Sequence, residues 1–464
     1  MCLTCYSEDI ILRIIIVGCG KVGYTLAEEL SAEKHDITII DTNDTVLRKA
    51  ADSLDVLCIK GNGASIKLLR EAGAMKTDVL IAATGHDELN MLCCFSAKRL
   101  GVQCTVARIR DQEYVQDISE FKEQLDIDMV VNPEFSTAAF ISRLLRFPEA
   151  LDIETFFRGR IELIGFKVTE EDGITGAPLF TVKKKMGNIS VLFCAVERGG
   201  ETSIPHGSFV LEPGDKVYFI GTIVNVNKFF RYIGRTTQKV KDTFIIGGGR
   251  IASYLSGLLS ETNISVKIVE NDPERCEALA EAHPKALIVN GDGTDQELLE
   301  SEDIANSSSF VSLTGRDEDN IIMALHAKQL GIQRVIAKAN SQNYYDMIEN
   351  LGLDCSVSPK VITADAILRM VRAMQNSHGS HMESLYRIAD GDAEALVFTV
   401  GSTTKNQNIA LKDLKLKKGI LVAVISRESR LIIPEGGDSL QAGDKIILIS
   451  RGLPILDIND IFAD

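Results

Sequence analysis

Two glycine-rich runs in the sequence have the composition of loops that bind a nucleotide pyrophosphate. They are Gly18-Cys19-Gly20-Lys21-Val22-Gly23 and Gly247-Gly248-Gly249-Arg250-Ile251-Ala252. Each run follows a short apolar stretch, opens a helical pattern and is answered 23 positions after its first glycine by an acid, Asp41 or Glu270. A Gly-x-Gly-x-x-Gly run in this setting is the fingerprint of a dinucleotide site.

Each part of the first run has a physical reason. Gly18 allows a tight turn, Gly20 lets backbone N–H groups approach a pyrophosphate, and Gly23 allows close packing of helix on sheet. The helix N-terminus adds partial positive charge. Asp41 would accept hydrogen bonds from ribose hydroxyls and repel a 2′-phosphate, so NAD, NADH or an adenine nucleotide is expected at the first site rather than NADP, with NAD or NADH preferred. A glycine turn without a ligand is the structural alternative.

The second run differs on its phosphate side. Ala252 replaces the last glycine, Arg250 adds a cation, and Glu270 again fits a ribose. This site therefore predicts NAD(H) or the more highly charged ATP or ADP. A degenerate copy kept for structure is the alternative.

These runs belong to an internal repeat with an offset of about 229 residues. Further matched features are Gly61-Asn62-Gly63-Ala64 with Gly291-Asp292-Gly293-Thr294, the run from Thr84-Gly85 through Glu88 to Asn90 with that from Thr314-Gly315 through Glu318 to Asn320, and the bases Arg108 and Lys338. Such a series identifies a tandem duplication.

Alternating apolar strands and helical patterns in each copy predict an α/β fold with a doubly wound, parallel-sheet, Rossmann-like domain. A smaller strand-rich α+β module follows each copy. The predicted limits are 11–134 for the first Rossmann-like domain, 135–233 for linking helices and the first small module, 241–360 for the second Rossmann-like domain and 361–464 for linking helices and the second module.

Composition and charge limit the classes of function that are expected for this chain. The chain has 50 basic and 65 acidic residues, a formal charge of -15, which disfavours nucleic acid as a partner. No apolar stretch is long enough for a transmembrane helix, and the first residues do not resemble a signal peptide, so a cytoplasmic location is expected. Cys2 and Cys5, and His378 and His381, have metal-ligand spacing but lack further ligands, so no metal site is predicted.

The motif series resembles the RCK (KTN) regulatory domains, and the small modules resemble their C-terminal subdomains. Two such pairs in one chain are similar to the peripheral subunits of Trk-type potassium uptake systems, and the likeness covers about residues 11–449. It implies a homo-oligomeric ring at the inner face of the cell membrane, with nucleotides biasing the gate of a membrane potassium-translocating subunit.

The resemblance also implies two sets of nucleotide contacts. The first set is Gly18 to Val22, Asp41, Thr84 and Arg108, and the second is Gly247 to Ile251, Glu270, Thr314 and Lys338, with Asn62, Gly63, Gly85, Glu88, Asp292, Gly293 and Glu318 at the matching motif positions. Lysine in place of arginine at Lys338 lacks the planar fork.

Two other functions share these motifs. An NAD-dependent dehydrogenase would need a positioned acid or base, for which His86 and Lys338 are the candidates. The small modules are short for a substrate domain, which favours a regulatory protein that is not an enzyme. A regulator of potassium efflux or of another cation transporter is the third hypothesis.

Overall fold

The computed structural model describes residues 11–463 except 112–113, 115–116, 158, 236–239, 342–343, 345–352, 354, 377–381, 429, 454 and 456. Both the Cys2/Cys5 pair and the His378/His381 pair therefore lie outside the described residues. The chain divides into two units, one made of the residues up to Ile141 with Asp242–Val371, and one made of Ser142–Lys241 with Arg372–Asp464.

The first unit contains two parallel six-stranded sheets of the same topology. The first has the strand order β3-β2-β1-β4-β5-β6. Its strands are β1 (Arg13–Val17), β2 (Asp36–Asp41), β3 (Leu57–Lys60), β4 (Val79–Ala82), β5 (Cys104–Arg108) and β6 (Met129–Val131). Its helices are α1 (Lys21–Ala32), α2 (Asp44–Ser53), α3 (Ile66–Glu71), α4 (Asp87–Arg99) and α5 (Ile118–Gln124), followed by the linking helix α6 (Pro133–Arg146).

The central strands of this sheet are mostly apolar because helices cover both faces of a doubly wound sheet. Ile14, Ile15 and Ile16 are at most 1% exposed. Side chains of Asn43 and Ser65 cap helices α2 and α3, since both residue types accept hydrogen bonds from the free N–H groups of a first helical turn.

The second sheet follows the same plan with the strand order β14-β13-β12-β15-β16-β17. The strands of this second sheet, numbered after the five strands of the first small module, are β12 (Asp242–Ile246), β13 (Ser265–Glu270), β14 (Leu287–Asn290), β15 (Ser309–Ser312), β16 (Arg334–Lys338) and β17 (Cys355–Val357). The helices of the second domain, numbered after the two helices of that module, are α9 (Arg250–Ser260), α10 (Pro273–Ala282), α11 (Gln296–Ser301), α12 (Asp317–Gln329) and the linking helix α13 (Pro359–Asn376).

The two Rossmann-like domains pack against each other within this unit. Tyr254 on α9 accepts a hydrogen bond from the Asn132 side chain at 3.1 Å, and its ring meets the Phe135 ring edge-on with centroids 5.6 Å apart. Met370 on α13 contacts Cys104 on β5, with the two sulfur atoms 3.5 Å apart. Each linking helix therefore contacts the domain of the other half, as expected for an apolar helix at a module junction.

The second unit contains two five-stranded antiparallel sheets, ordered β10-β9-β11-β8-β7 and β18-β19-β22-β20-β21. The elements of the first are β7 (Asp152–Phe156), β8 (Ile161–Lys167), α7 (Leu179–Met186), β9 (Val191–Arg198), β10 (Glu201–Ser203), β11 (Lys216–Gly221) and α8 (Ile223–Tyr232). Those of the second are β18 (Met382–Ile388), β19 (Ala393–Thr399), β20 (Ile420–Arg427), β21 (Arg430–Ile432) and β22 (Lys445–Arg451).

Both small modules share one hydrophobic core, which joins Tyr218 and Ile220 to Ala395 and Ile447. The predicted α/β class, with two parallel doubly wound sheets and a strand-rich module after each, is confirmed. The four predicted domain limits stay a prediction. Among the described residues, no helix is both long enough and apolar enough to cross a membrane.

Candidate nucleotide sites

The first glycine loop has the geometry that its residue types predict. Gly18 has a positive φ of 98°, and a Cβ atom there would lie 2.9 Å from the backbone nitrogen of Thr84. At Gly23 a Cβ atom would lie 1.9 Å from the Gly18 carbonyl oxygen. A Cβ atom at Gly20, by contrast, would meet nothing within 4 Å. Two glycines are therefore needed by the fold, and the third faces open space beside the N-terminus of α1.

The second loop repeats this division of roles. Gly247 has a φ of 89° and approaches the backbone nitrogen of Thr314, while Gly249, like Gly20, faces open space. A Cβ atom at Gly248 would lie 2.5 Å from the Leu279 side chain. Ala252 takes the place of Gly23 and is fully buried.

The two strand-end acids hold their glycine loops through backbone hydrogen bonds. Asp41 accepts from the N–H groups of Cys19 at 2.7 Å and Asn43 at 2.8 Å. Glu270 accepts from the Gly248 N–H at 2.6 Å and from the N–H groups of Asn271 and Asp272. Each carboxylate therefore lies at its glycine loop, next to the space that Gly20 or Gly249 leaves open.

Cys19 lies inside the first loop with its thiol buried. Burial, and after it the charge of Asp41, raises the pKa of Cys19 to about 11. The thiol is therefore protonated near neutral pH and is a poor nucleophile or metal ligand.

A buried asparagine joins the remaining motif residues in each copy. The Asn90 side-chain oxygen accepts from the Thr84 N–H at 2.9 Å and the Thr84 hydroxyl at 2.7 Å, and its amide donates to the Arg108 carbonyl oxygen at 2.7 Å. Asn320 makes the same bonds with Thr314 and Lys338. These asparagines belong to the repeated motif, yet the sequence analysis assigned them no role.

Other predicted residues serve mainly to shape loops. Asn62 accepts from the Ala64 N–H, and Asp292 accepts from the N–H and hydroxyl of Thr294. Gly63 and Gly293 pack on β1 and β12, where a Cβ atom would lie 2.1 Å from Val17 and 3.0 Å from Ile246.

The loops after β4 and β15 are also tied to their surroundings. The Gly85 carbonyl accepts from the Arg110 guanidinium at 3.2 Å. Glu88 accepts from the Tyr114 hydroxyl, and Glu318 from the Tyr344 hydroxyl. Gly85, Glu88 and Glu318 therefore each have a structural role in the protein.

The charged phosphate-side residues of both copies line a single cavity of about 320 Å³ between the two Rossmann-like domains. From the first copy come Lys21, Val22, Arg108 and Glu134, and from the second come Gly249, Arg250, Ile251, Lys338 and Lys360. The sequence predicts two separate sites. The structure brings their basic residues together, and it adds Glu134 and Lys360, which no motif marks.

The cavity is electrostatically unbalanced. Burial lowers the pKa of Arg108, and the charges of Arg110 and Arg250 act in the same direction. Burial also lowers the pKa of Lys338, and so does the charge of Lys21. The Arg108 Nε atom is buried and has no hydrogen-bond partner among the described residues. Five basic residues face one acid here, an arrangement suited to an anion such as a phosphate.

Some candidates lie apart from this cavity, and one contact was not foreseen. His86 is exposed at the start of α4, and its backbone N–H donates a hydrogen bond to the Thr84 hydroxyl. In the second copy, Arg275 on α10 donates to the Gly248 carbonyl at 2.8 Å. No group of three or more metal-ligating side chains occurs among the residues that the structure describes.

The sequence matches two family models, each twice. The TrkA-N domain model matches residues 14–133 and 243–359, and the TrkA-C domain model matches 164–234 and 396–452. Together they cover most of the chain in the tandem order that the repeat predicted.

Relatives that align over nearly their whole length are named for the Trk potassium uptake system. A "Trk system potassium uptake protein TrkA homolog" of Archaeoglobus fulgidus is 32% identical over 455 residues, which is 97% of this chain and 100% of that protein. The "Trk system potassium uptake protein TrkA" of Haemophilus influenzae is 32% identical over 443 residues, 94% of this chain and 95% of that protein.

Two solved structures share the fold. The GsuK channel bound to NAD aligns with a TM-score of 0.64 at 17% identity, covering 96% of this chain and 78% of that one. The GsuK RCK domain aligns with a TM-score of 0.62 at 18% identity, covering 96% and 93%. At this identity the likeness establishes the architecture alone. Together with the family models and the full-length relatives, it shows that the chain belongs to the TrkA family of Trk system potassium uptake proteins.

Proposed function

We propose that this chain is the nucleotide-sensing regulatory subunit of a potassium uptake system. The names of its relatives support the potassium system. The observation that supports the sensing role is that basic residues near both glycine loops line one cavity. A regulatory protein needs a ligand to change the relation between two parts, and a cavity lined by both halves offers that opportunity.

The first site binds NAD or NADH in this proposal, and the second binds NAD(H), ATP or ADP. Gly20 and Gly249 leave room for the pyrophosphate, Asp41 and Glu270 accept from the ribose hydroxyls, and Thr84 and Thr314 line the loops that follow. Arg108 and Lys338 face the distal phosphates together with Lys21 and Arg250. The support is the open space at both glycines and the basic lining of the cavity.

Nucleotides would act by shifting a population of conformations. A ligand changes the balance only when it binds one arrangement of the two domains better than the other. The basic side chains that line the cavity repel one another, and a bound phosphate would favour the arrangement that brings them closest. The two Rossmann-like domains are therefore the proposed switch.

The partner in this proposal is the membrane potassium-translocating subunit of a Trk-type system. The chain would form a homo-oligomeric ring at the cytoplasmic, inner face of the cell membrane and reach the membrane through that partner. The names of the relatives support the partner. We also propose the domain limits 11–134, 135–233, 241–360 and 361–464 for this assembly.

Isothermal titration of the purified chain with NAD, NADH, ATP and ADP tests the proposal. Asp41→Ala should weaken NAD(H) at the first site, and Glu270→Ala should weaken the ligand of the second. Because each acid also holds its loop, Asp41→Asn and Glu270→Gln serve as controls that keep a hydrogen-bond acceptor. Absence of binding by all four nucleotides would remove the sensing role.

Two further measurements separate the alternative functions. Steady NADH oxidation with small carbonyl compounds, lost in His86→Ala or Lys338→Ala, would favour a dehydrogenase. Growth of a deletion strain at limiting potassium separates uptake from efflux, since loss of an uptake regulator impairs growth there and loss of an efflux regulator does not.

A further inference from the structure

The short helix α7 of the first small module is amphipathic with an unusual exposed face. Its Leu179, Val182 and Met186 are buried. The opposite face carries Phe180, which is 61% exposed, and three consecutive exposed lysines at 183–185. The module's own core does not require a solvent-exposed aromatic ring next to a run of lysines.

At the equivalent place the second small module has an exposed apolar residue and a single exposed lysine. Ile409, 229 positions after Phe180, is 40% exposed. Lys412, at the same offset from Lys183, is also exposed. The lysine run is not repeated, because Asp413 and Leu414 stand at the same offset from Lys184 and Lys185, and α7 is replaced by a three-residue 3-10 turn at Leu411–Asp413.

Direct contacts join these two places into one surface. The Lys183 ammonium lies 3.2 Å from a Glu435 carboxylate oxygen of the other module. At the next residue, Gly436, a Cβ atom would lie 3.2 Å from the Lys412 Cβ. We call the continuous surface formed by Phe180, Lys183, Lys184, Lys185, Ile409 and Lys412 the lysine patch.

The four lysines of the patch outnumber the exposed acids that adjoin them, Glu435 and Asp413, whereas the whole protein is acidic. The chain carries a formal charge of -15, and it would be repelled by an anionic membrane unless a local basic surface faced the lipid. Lysines attract anionic headgroups, and neighbouring apolar side chains enter the boundary between headgroups and acyl chains. Such a surface would add a direct contact with lipid to the contact that the protein makes with a membrane partner.

We propose that the lysine patch contacts anionic lipid headgroups and helps to hold the protein against the membrane that carries its partner. This inference rests on the proposed function only for the presence of that membrane. Lipid contact and nucleotide binding use different units of the chain, so each can fail without the other.

Sedimentation of the full-length chain with lipid vesicles tests this inference. Partition onto vesicles containing about 30% phosphatidylglycerol should exceed partition onto pure phosphatidylcholine by about 10-fold and should fall as salt rises. The combination Lys184→Glu, Lys185→Glu and Lys412→Glu should remove that excess. The conservative change of the same three lysines to arginine should keep it.

A matched control carries Lys34→Glu, Lys67→Glu and Lys76→Glu, three exposed lysines of the first Rossmann-like domain. It changes the net charge equally and should alter partition by less than about 2-fold. Equal partition onto both vesicle types, or an equal loss in the control, would overturn the proposal. So would a patch variant that keeps vesicle binding but loses self-association, because the patch would then face an acidic surface of a second copy. Nucleotide titration of the same variants should be unchanged.

Discussion

Arg108 of the first half and Arg250 of the second half line the same cavity, although 142 positions separate them in the sequence. Burial lowers the pKa of Arg108, and the charge of Arg250 contributes in the same direction. The two copies of the repeat are therefore electrostatically coupled at their phosphate sides. An anion bound there would relieve the repulsion between the halves.

Gly20→Ala should abolish nucleotide binding at the first site while the fold persists. The new methyl group meets no protein atom within 4 Å, but it enters the space proposed for the pyrophosphate. Since alanine is a poorer N-cap than glycine, the free energy of unfolding should fall by no more than about 1 kcal/mol. Titration calorimetry and thermal unfolding measure the two effects.

The paired variant Gly249→Ala should remove only the second site. By contrast, Gly23→Ala places a methyl group 1.9 Å from a backbone oxygen and should destabilise the first domain. Unchanged nucleotide affinity in Gly20→Ala would show that the open space is not the binding site.

Nucleotide affinity should decline with pH in a way that depends on Lys338. Its protonated form attracts a phosphate, and burial lowers the pKa of this lysine. The attraction is complete below that lowered pKa and is lost as pH rises through it. As the pH rises toward the ordinary lysine pKa of 10.5, the affinity for ATP should therefore fall more steeply in the wild type than in Lys338→Arg, which stays charged. Superimposable curves would exclude Lys338 from the phosphate site.

Asn90→Ala should lower the free energy of unfolding by about 2–4 kcal/mol, because it leaves several buried backbone groups of Thr84 and Arg108 without partners. Asn320→Ala should do the same in the second domain. Asn43→Ala, which removes an exposed helix cap, is the control and should cost about 1 kcal/mol. Urea unfolding compares them, and equal losses at Asn90 and Asn43 would contradict the bridging role.

The proposed ring should depend on two exposed apolar side chains at equivalent places. Leu92 on α4 is 50% exposed and Ile322 on α12 is 61% exposed. Leu92→Asp with Ile322→Asp should lower the mass measured by light scattering, since exposed apolar residues repeated in both copies favour a contact between subunits. Val224→Asp, at a residue 62% exposed on α8, should leave the mass unchanged. An unchanged mass in the double variant would place the contact elsewhere.

Local sequence patterns predicted the parts of the sites that lie close together in the chain. The helix expected from Lys21 spans Lys21–Ala32, and Gly18 has the positive φ that its turn requires. Asp41 lies at the loop that it follows by 23 positions. These features follow from strand, turn and helix chemistry within one copy, which is why the repeat and the fold class could be predicted from the sequence.

The shared cavity could not be predicted because it depends on how two domains pack. Glu134 and Lys360 lie in the first turns of the linking helices and belong to no motif, and both line the cavity between the two domains. Asn90 did leave a signal. An asparagine stands at the same motif position in both copies, followed by apolar residues in each helix, and a buried amide there needs backbone partners.

Calorimetric titration of ATP into the chain, with and without saturating NADH, tests whether the two nucleotide sites are coupled through the shared cavity. Because both sites open on one cavity, NADH should change the ATP affinity by about 5-fold or more, and Gly20→Ala should abolish the change while ATP still binds. Identical ATP affinities with and without bound NADH, or no binding of either nucleotide, would contradict the account.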